Sequence, residues 1–363
     1  MRKMICAPGA YIQGAGEMKL LASHVEELRR HKAYLIVDAF IDKTYHSDIV
    51  GSFDKEKVAY QLRVFGGECC MEEIDKHRGQ LGDCDIIYGI GGGKTLDTAK
   101  AVAYYAQCPV VIVPTAASTD APCSRLSVVY KANGEFSHYL PLPQNPDIVI
   151  MDSEVITKAP ARFLAAGIGD ALATYFEALA CEKSHVVTLA GGVSTKSAMA
   201  LAKLCNDTLL SKGCDAIRAV KEGVCNEAVE DIIEANTYLS GIGFESGGLS
   251  GAHSIHNGMT VLEETHKLLH GEKVAYGALT QLVLEGRPEA EVAEIARFCK
   301  QVGLPTTLKD LGLAQVTDDR LLTAAKETCK PDDTMVNMPF PVKPEDIVAA
   351  MRRVDEIGKG LTA

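Results

Sequence analysis

The chain has 363 residues, of which 47% are apolar and 23% charged, and a formal net charge of −11. That length suggests two domains and is ample for a full core. The acidic balance, with no basic run, excludes a nucleic-acid surface, and no run approaches the ~18 apolar residues of a membrane span.

The twelve cysteines are scattered, with no Cys-x-x-Cys pair. This argues against a zinc ribbon and a disulfide framework, and reads as reduced structural thiols of a cytoplasmic protein. The stretch MRKMICAPGAYIQGAGEMK lacks a sustained apolar region, so no secretory signal is expected.

In chain order, EMKLLASHVEELRRH predicts a helix, with Leu20, Leu21, Val25 and Leu28 at helical spacing. The runs YLIVD (34–38), DIIYGI (85–90), PVVIVP (109–114) and DIVIMD (147–152) predict buried strands of a largely parallel sheet. TLDTAKAVAYYAQ, directly after glycines, predicts a helix between two of them. This alternation implies an α/β domain over residues 1–160. From KAPARF onward the pattern turns helical, as in ARFLAAGIGDALATYFEALACEK and AVEDIIEANTYLSGIG, predicting an all-α domain over 161–363.

YGIGGGKTLDTAK reads as strand, glycine run, helix. Glycines let backbone amides approach a phosphate, and the following helix supplies free N–H groups and a positive dipole end. Gly91, Gly92, Gly93, Lys94 and Thr95 are therefore candidates for a diphosphate cradle; the alternative is a tight turn alone. Asp38, ending the first of those four runs, could accept hydrogen bonds from ribose hydroxyls and repel a 2′-phosphate, or simply cap a helix. A third polar loop, PTAASTDAPCSRLSVVY, offers Thr115, Ser118, Thr119 and Asp120 after a strand, where open α/β sheets bind ligands.

Four of the ten histidines, His253, His256, His266 and His270, fall in one short segment. Imidazole and carboxylate suit zinc and ferrous iron, and a catalytic site leaves one position open. His253 and His256, three apart, share a helix face, and His270 could come from the next helix. Asp170, read as standing where a helix begins, is the best carboxylate to complete the set; its alternative is an ordinary helix-start charge.

Taken together, GIGGGKTLDTAK, PTAASTDAPCSRLSVVY, GIGDALATYFEA, GFESGGLSGAHSIHNG and HGEKVAYG resemble the glycerol dehydrogenases of the iron-containing, or group III, alcohol dehydrogenase family. The resemblance implies a Rossmann-like α/β N-terminal domain and an all-α C-terminal domain, the dehydroquinate synthase-like architecture. It implies NAD and one divalent metal, zinc or else iron. By resemblance Asp170, His253 and His270 hold the metal, and His256 stands beside it, a candidate to take the substrate proton. Asp120 contacts the substrate. Asp38, Gly93, Lys94, Asp97, Thr115, Ser118, Ser124, Leu126 and Tyr130 match nucleotide-binding positions. The substrate implied is a small polyol, glycerol, oxidised reversibly to dihydroxyacetone, and the assembly implied is a homo-oligomer, often an octamer. His266 takes no role and reads as a surface residue.

Ser254, Met259 and Val336 depart from relatives, so another diol or a simple alcohol is the nearest alternative substrate. A non-catalytic nucleotide-binding relative is the alternative of a different class. Substrates bearing phosphate need cationic partners, and only Lys267 and Lys273 lie near His270 in sequence.

Overall fold

The structure is a computed structural model that describes residues 1–361. The chain forms two compact units. An α/β unit comprises Ala7–Ala117 and Ala121–Ala159, and a helical unit comprises Met1–Cys6, Ser118–Asp120 and the chain from Pro160 onward. Residues 1–6, 118–120 and 160, read above as part of the first domain, thus fall in the helical unit.

The α/β unit is built on a six-stranded parallel sheet in the order β1-β8-β5-β4-β2-β3. Its strands are β1 (Ala10–Gly14), β2 (Lys32–Val37), β3 (Ala59–Val64), β4 (Ile86–Gly91), β5 (Val110–Pro114) and β8 (Ile148–Asp152). Between β5 and β8 the chain makes an antiparallel hairpin of β6 (Leu126–Tyr130) and β7 (Phe136–Pro141). The helices of this unit are α1 (Ser23–Glu27), α2 (Ala39–Glu56), α3 (Met71–Gln80), α4 (Gly93–Ala106) and α5 (Ser153–Lys158).

All four expected strands are strands of this sheet. Every residue of β4, β5 and β8 is buried, as their unbroken apolar sequences require when both faces are covered. Burying each Val or Ile side chain contributes about 1.5–3 kcal/mol. The edge strands β1 and β3 carry Gln13, Gln61 and Arg63 and are only partly covered, so their sequences do not announce them.

The single helix expected over residues 17–31 is replaced by a 3-10 turn, Glu17–Leu20, and the short α1. Asp152 explains the break. Its carboxylate accepts hydrogen bonds from the N–H groups of Gly16 (3.2 Å) and Met18 (2.8 Å) while capping α5 through Glu154 and Val155. A buried side chain distant in sequence thereby overrides local helical spacing.

Topology places the nucleotide candidates. From β2 the chain runs outward to β3, returns to β4 on the other side of β2, and continues to β5 and β8. The order reverses between β2 and β4, the point where open parallel sheets bind ligands beyond their carboxyl ends. Asp38 follows β2, Gly91–Lys94 follow β4, and Thr115 follows β5.

The helical unit contains α6 (Ala161–Ser184), α7 (Lys196–Lys221), α8 (Glu227–Glu234), α9 (Ser240–Gly247), α10 (Gly251–Met259), α11 (His270–Leu284), α12 (Glu289–Val302), α13 (Asp318–Thr328) and α14 (Pro344–Gly360). A π-helical turn, Ala235–Leu239, joins α8 to α9. The sequence reading found no membrane-span candidate, yet α6 is long and apolar enough to cross a membrane by length and composition. It is instead the buried central helix of this unit, packed against α7, α9 and α11.

Candidate active site

In the α/β unit the glycine run makes a bare turn. Gly92 is the N-cap of α4 and no side chain caps that helix. A Cβ on Gly92 or Gly93 would meet nothing within 4 Å, so no neighbouring protein atom dictates glycine there. Gly91 differs: its φ is +152°, and a Cβ would lie 2.7 Å from Cβ of Asp38. The 14-residue helix α4 thus begins without a side-chain cap, on glycines whose side-chain positions are open, next to Asp38, an arrangement suited to an anion beside a hydroxyl-bearing sugar.

Asp38 caps α2, its Oδ1 accepting from the N–H groups of Phe40 (2.9 Å) and Ile41 (3.3 Å). Lys94 pairs with Glu68 at 2.6 Å and lies over the Tyr130 ring. Asp97 is engaged inside the protein: it accepts from the Val128 N–H (3.1 Å) and pairs with buried Lys100 (3.5 Å). Lys100 also donates to the carbonyls of Ala121 and Leu126. Asp97 and Lys100 therefore hold the loop that carries Ser124 and Leu126. Thr115 donates its N–H to the Gly91 carbonyl, joining the ends of β5 and β4. Thr95 is buried at the start of α4, and Ser118 lies beside Asp120 in the helical unit.

In the helical unit Asp170, His253 and His270 offer three ligand atoms, all within 4.8 Å of one another. Asp170 stands in the interior of α6, not at a helix start as the sequence reading had it. It is wholly buried, and its Oδ1 receives no well-directed hydrogen bond. That oxygen lies 3.4 Å from Nε2 of His253 on α10 and 3.1 Å from Nε2 of His270 at the start of α11. One carboxylate oxygen and two imidazole nitrogens around a buried point fit a zinc or ferrous ion. The His270 side chain is 38% exposed, which leaves the cluster open on that flank.

Close helix packing makes the cluster. A Cβ on Gly169 would sit 2.3 Å from the Gly271 carbonyl oxygen, and one on Gly271 only 1.8 Å from the Ala166 carbonyl oxygen. Only glycine at both positions lets α6 and α11 approach until Asp170 meets His270.

Glu177 supports the site, and the sequence reading missed it. Fully buried on α6, its Oε1 accepts the N–H groups of Ser250 (2.8 Å) and His253 (3.0 Å), capping α10 from another helix. Its Oε2 accepts from Nδ1 of His253 at 2.6 Å. A carboxylate only accepts, so Nδ1 carries a proton, and Nε2 is the nitrogen whose lone pair a metal at the cluster would take, displacing any second proton on the ring. Glu177 lies seven residues after Asp170, on the same helix face, and that spacing was the available signal. A Glu177→Gln variant keeps an oxygen for the helix cap but turns an N–H toward Nδ1. We expect its metal affinity to fall about 10–100-fold while the melting temperature of the metal-free protein changes little. Unchanged zinc affinity in a chelator competition would refute this role.

The charges are mutually adjusted. Burial pushes the Asp170 carboxyl up, but His270 and His253 outweigh this and hold it well below the carboxylate range. Burial works against charge on His253, yet Glu177 and Asp170 raise it well above the usual histidine value. Burial, then the neighbouring His270 and Lys273, push His256 well below it. Burial and the Asp170 charge raise Asp120 well above an ordinary carboxylate.

Asp120 donates its N–H to Oδ2 of Asp170 (3.2 Å), and its carboxylate accepts from Ser240 (2.7 Å). Ser240 in turn bonds Thr174 of α6 at 2.8 Å. It follows the π turn, a register shift found often beside functional sites. His256, expected as a proton acceptor, has both ring nitrogens engaged, one with Asn257 and one with His270. It therefore offers the substrate no ring nitrogen. His266 is exposed and its ring bonds the Thr260 carbonyl.

A parallel sheet with a bare glycine turn, and a helical unit with an open Asp-His-His cluster, define a protein for metal-assisted chemistry on a small molecule. The family described as iron-containing alcohol dehydrogenase matches residues 8–153. A glycerol dehydrogenase of Thermotoga maritima is 51% identical over 97% of this chain and 96% of its own length. A glycolaldehyde reductase of Halobacterium salinarum is 42% identical over 99% of both. The crystal structure of a glycerol dehydrogenase from Schizosaccharomyces pombe superposes with a TM-score of 0.95 and 40% identity, covering 99% of this chain and 91% of that one. The chain belongs to the iron-containing alcohol dehydrogenase family.

Proposed function

We propose that the chain is an NAD-dependent and metal-dependent dehydrogenase that oxidises glycerol reversibly at its secondary hydroxyl to dihydroxyacetone. The observation that carries this reading is the Asp170–His253–His270 cluster, buried at Asp170 and open at His270, with donor atoms within 4.8 Å, in a chain half identical to a glycerol dehydrogenase along its length. The donor set suits zinc or ferrous iron, and the likeness to glycerol dehydrogenases makes zinc the ion we propose, with iron as the alternative.

When bound, the metal would draw charge from a substrate hydroxyl and lower its pKa, NAD would accept the hydride, and the hydroxyl proton would pass through water to solvent on the open flank beside His270. The chain supplies position and field. Asp170, His253 and His270 hold the ion, and Asp120, steadied by Ser240, orients a substrate hydroxyl by accepting its hydrogen bond. The start of α4, with Gly93, Lys94 and Thr95, takes the diphosphate, and Asp38 takes the ribose hydroxyls. Asp38 also disfavours a 2′-phosphate, which selects NAD over NADP.

The test is NADH formation from NAD and glycerol with zinc-supplied protein, before and after a chelator. Turnover that the chelator abolishes and zinc restores is the expected result. No turnover in protein that demonstrably binds both zinc and NAD would reject glycerol. The glycolaldehyde reductase relative supports a second reading, reduction of a small hydroxyaldehyde. NADH consumption with glycolaldehyde in the same preparation separates the two.

A further inference from the structure

We infer that Asp333, acting through Asn257 and His256, is a positioning residue that fixes which ring nitrogen His270 presents to the metal. The inference rests on the reading that Asp170, His253 and His270 hold that metal.

The argument follows the protons. Asp333 Oδ1 accepts from Ser254 (2.6 Å) and the Thr334 N–H (2.6 Å), which anchors it beside α10. Its Oδ2 lies 3.1 Å from Nδ2 of Asn257. A carboxylate can only accept, so the Asn257 amide must turn its NH2 toward Asp333 and its oxygen the other way. That oxygen is 3.0 Å from Nδ1 of His256. An amide oxygen also only accepts, so Nδ1 of His256 carries the proton and Nε2 of the neutral ring holds a lone pair. Nε2 of His256 lies 3.1 Å from Nδ1 of His270. It accepts the proton of that nitrogen, and His270 is left with its lone pair on Nε2, the atom 3.1 Å from Asp170 Oδ1.

Each link fixes the next, and reversing any one turns an N–H of His270 toward the metal. His253 reaches the same tautomer through Glu177 directly. The two ligand histidines are thus set by separate carboxylates. His256 serves His270 rather than the substrate, which accounts for a buried histidine beside the cluster that is not one of its ligands.

The test uses full-length protein stripped of metal and titrated with zinc against a chromophoric chelator. In Asp333→Asn the new amide offers its NH2 to Asn257, Asn257 flips, and His256 receives an N–H on Nδ1. Zinc affinity is expected to fall about 10–100-fold. The double variant D333N/N257D restores an acceptor to His256 and a donor–acceptor pair between positions 257 and 333. It is expected to recover wild-type affinity within about threefold, a rescue that loss of packing alone would not give. D333N with wild-type affinity, or a double variant no tighter than D333N, would overturn the inference. Should D333N fail to fold, His256→Phe, which has no acceptor, and His256→Gln, which keeps one, form the second pair. Equal zinc affinity in those two would also overturn it. His253→Ala is the control: if it binds zinc like wild type, the metal reading itself fails, whatever position 333 does.

Discussion

Replacing His253 by alanine removes bound metal and turnover together. The Nε2 atom of His253 is one of three donors around the cluster, and the other two cannot close a site for zinc alone. The polarising effect of a metal on a substrate oxygen is worth several kcal/mol, so kcat/KM is expected to fall about a thousandfold or more. The variant also leaves Glu177, fully buried, short of one hydrogen bond. This costs about 1–3 kcal/mol of stability, and the melting temperature should be recorded beside metal content. Zinc quantified per folded chain, with kcat/KM on the same sample, checks the prediction. Full metal content with full activity would sink the ligand assignment.

Gly271→Ala damages stability and metal binding at once. The added Cβ would lie 1.8 Å from the Ala166 carbonyl oxygen and 2.9 Å from the Asp170 backbone nitrogen. Both are backbone atoms of α6 and neither can rotate away, so the helices must separate. Overpacking of this kind costs about 1–3 kcal/mol and occasionally more. Because position 271 adjoins His270 and presses on Asp170, separation also pulls two ligands apart, and zinc affinity drops with stability. Gly51→Ala provides the contrast. Gly51 lies in α2, with nothing within 4 Å of its Cβ direction, and alanine there is expected to gain about 0.5–1 kcal/mol. Thermal melts of both variants, with zinc titration of the first, decide the matter. An unchanged melting temperature and unchanged zinc binding in G271A would show that the close approach is dispensable.

The central strands were legible because a parallel strand covered on both faces must be apolar throughout, and YLIVD, DIIYGI, PVVIVP and DIVIMD are short unbroken runs of that kind. The partly covered edge strands β1 and β3 were not, because their polar residues blur the pattern. The helix expected over residues 17–31 failed for a different reason: Asp152, distant in sequence, captures Gly16 and Met18. In the site, His253 and His270 stood out as a dense histidine segment. Asp170 stood out among small residues, although its place in mid-helix did not. Glu177 was readable only from its spacing to Asp170. Nothing local marked Asp333, which reaches Asn257 across 76 residues.

Sequence alone determined the family, through motifs in its order, and pointed to the chemistry: a glycine turn suited to an anion and an imidazole–carboxylate set suited to a metal. These are matters of residue type and short spacing, which the chain carries in one dimension. Tertiary structure decided which oxygen of Asp170 faces which nitrogen, that Gly169 and Gly271 bring the two helices together, and that His256 is occupied. Those outcomes depend on hydrogen-bond direction and ångström-scale packing between distant segments. A donor and its acceptor find each other only once the helices bearing them have been pressed together.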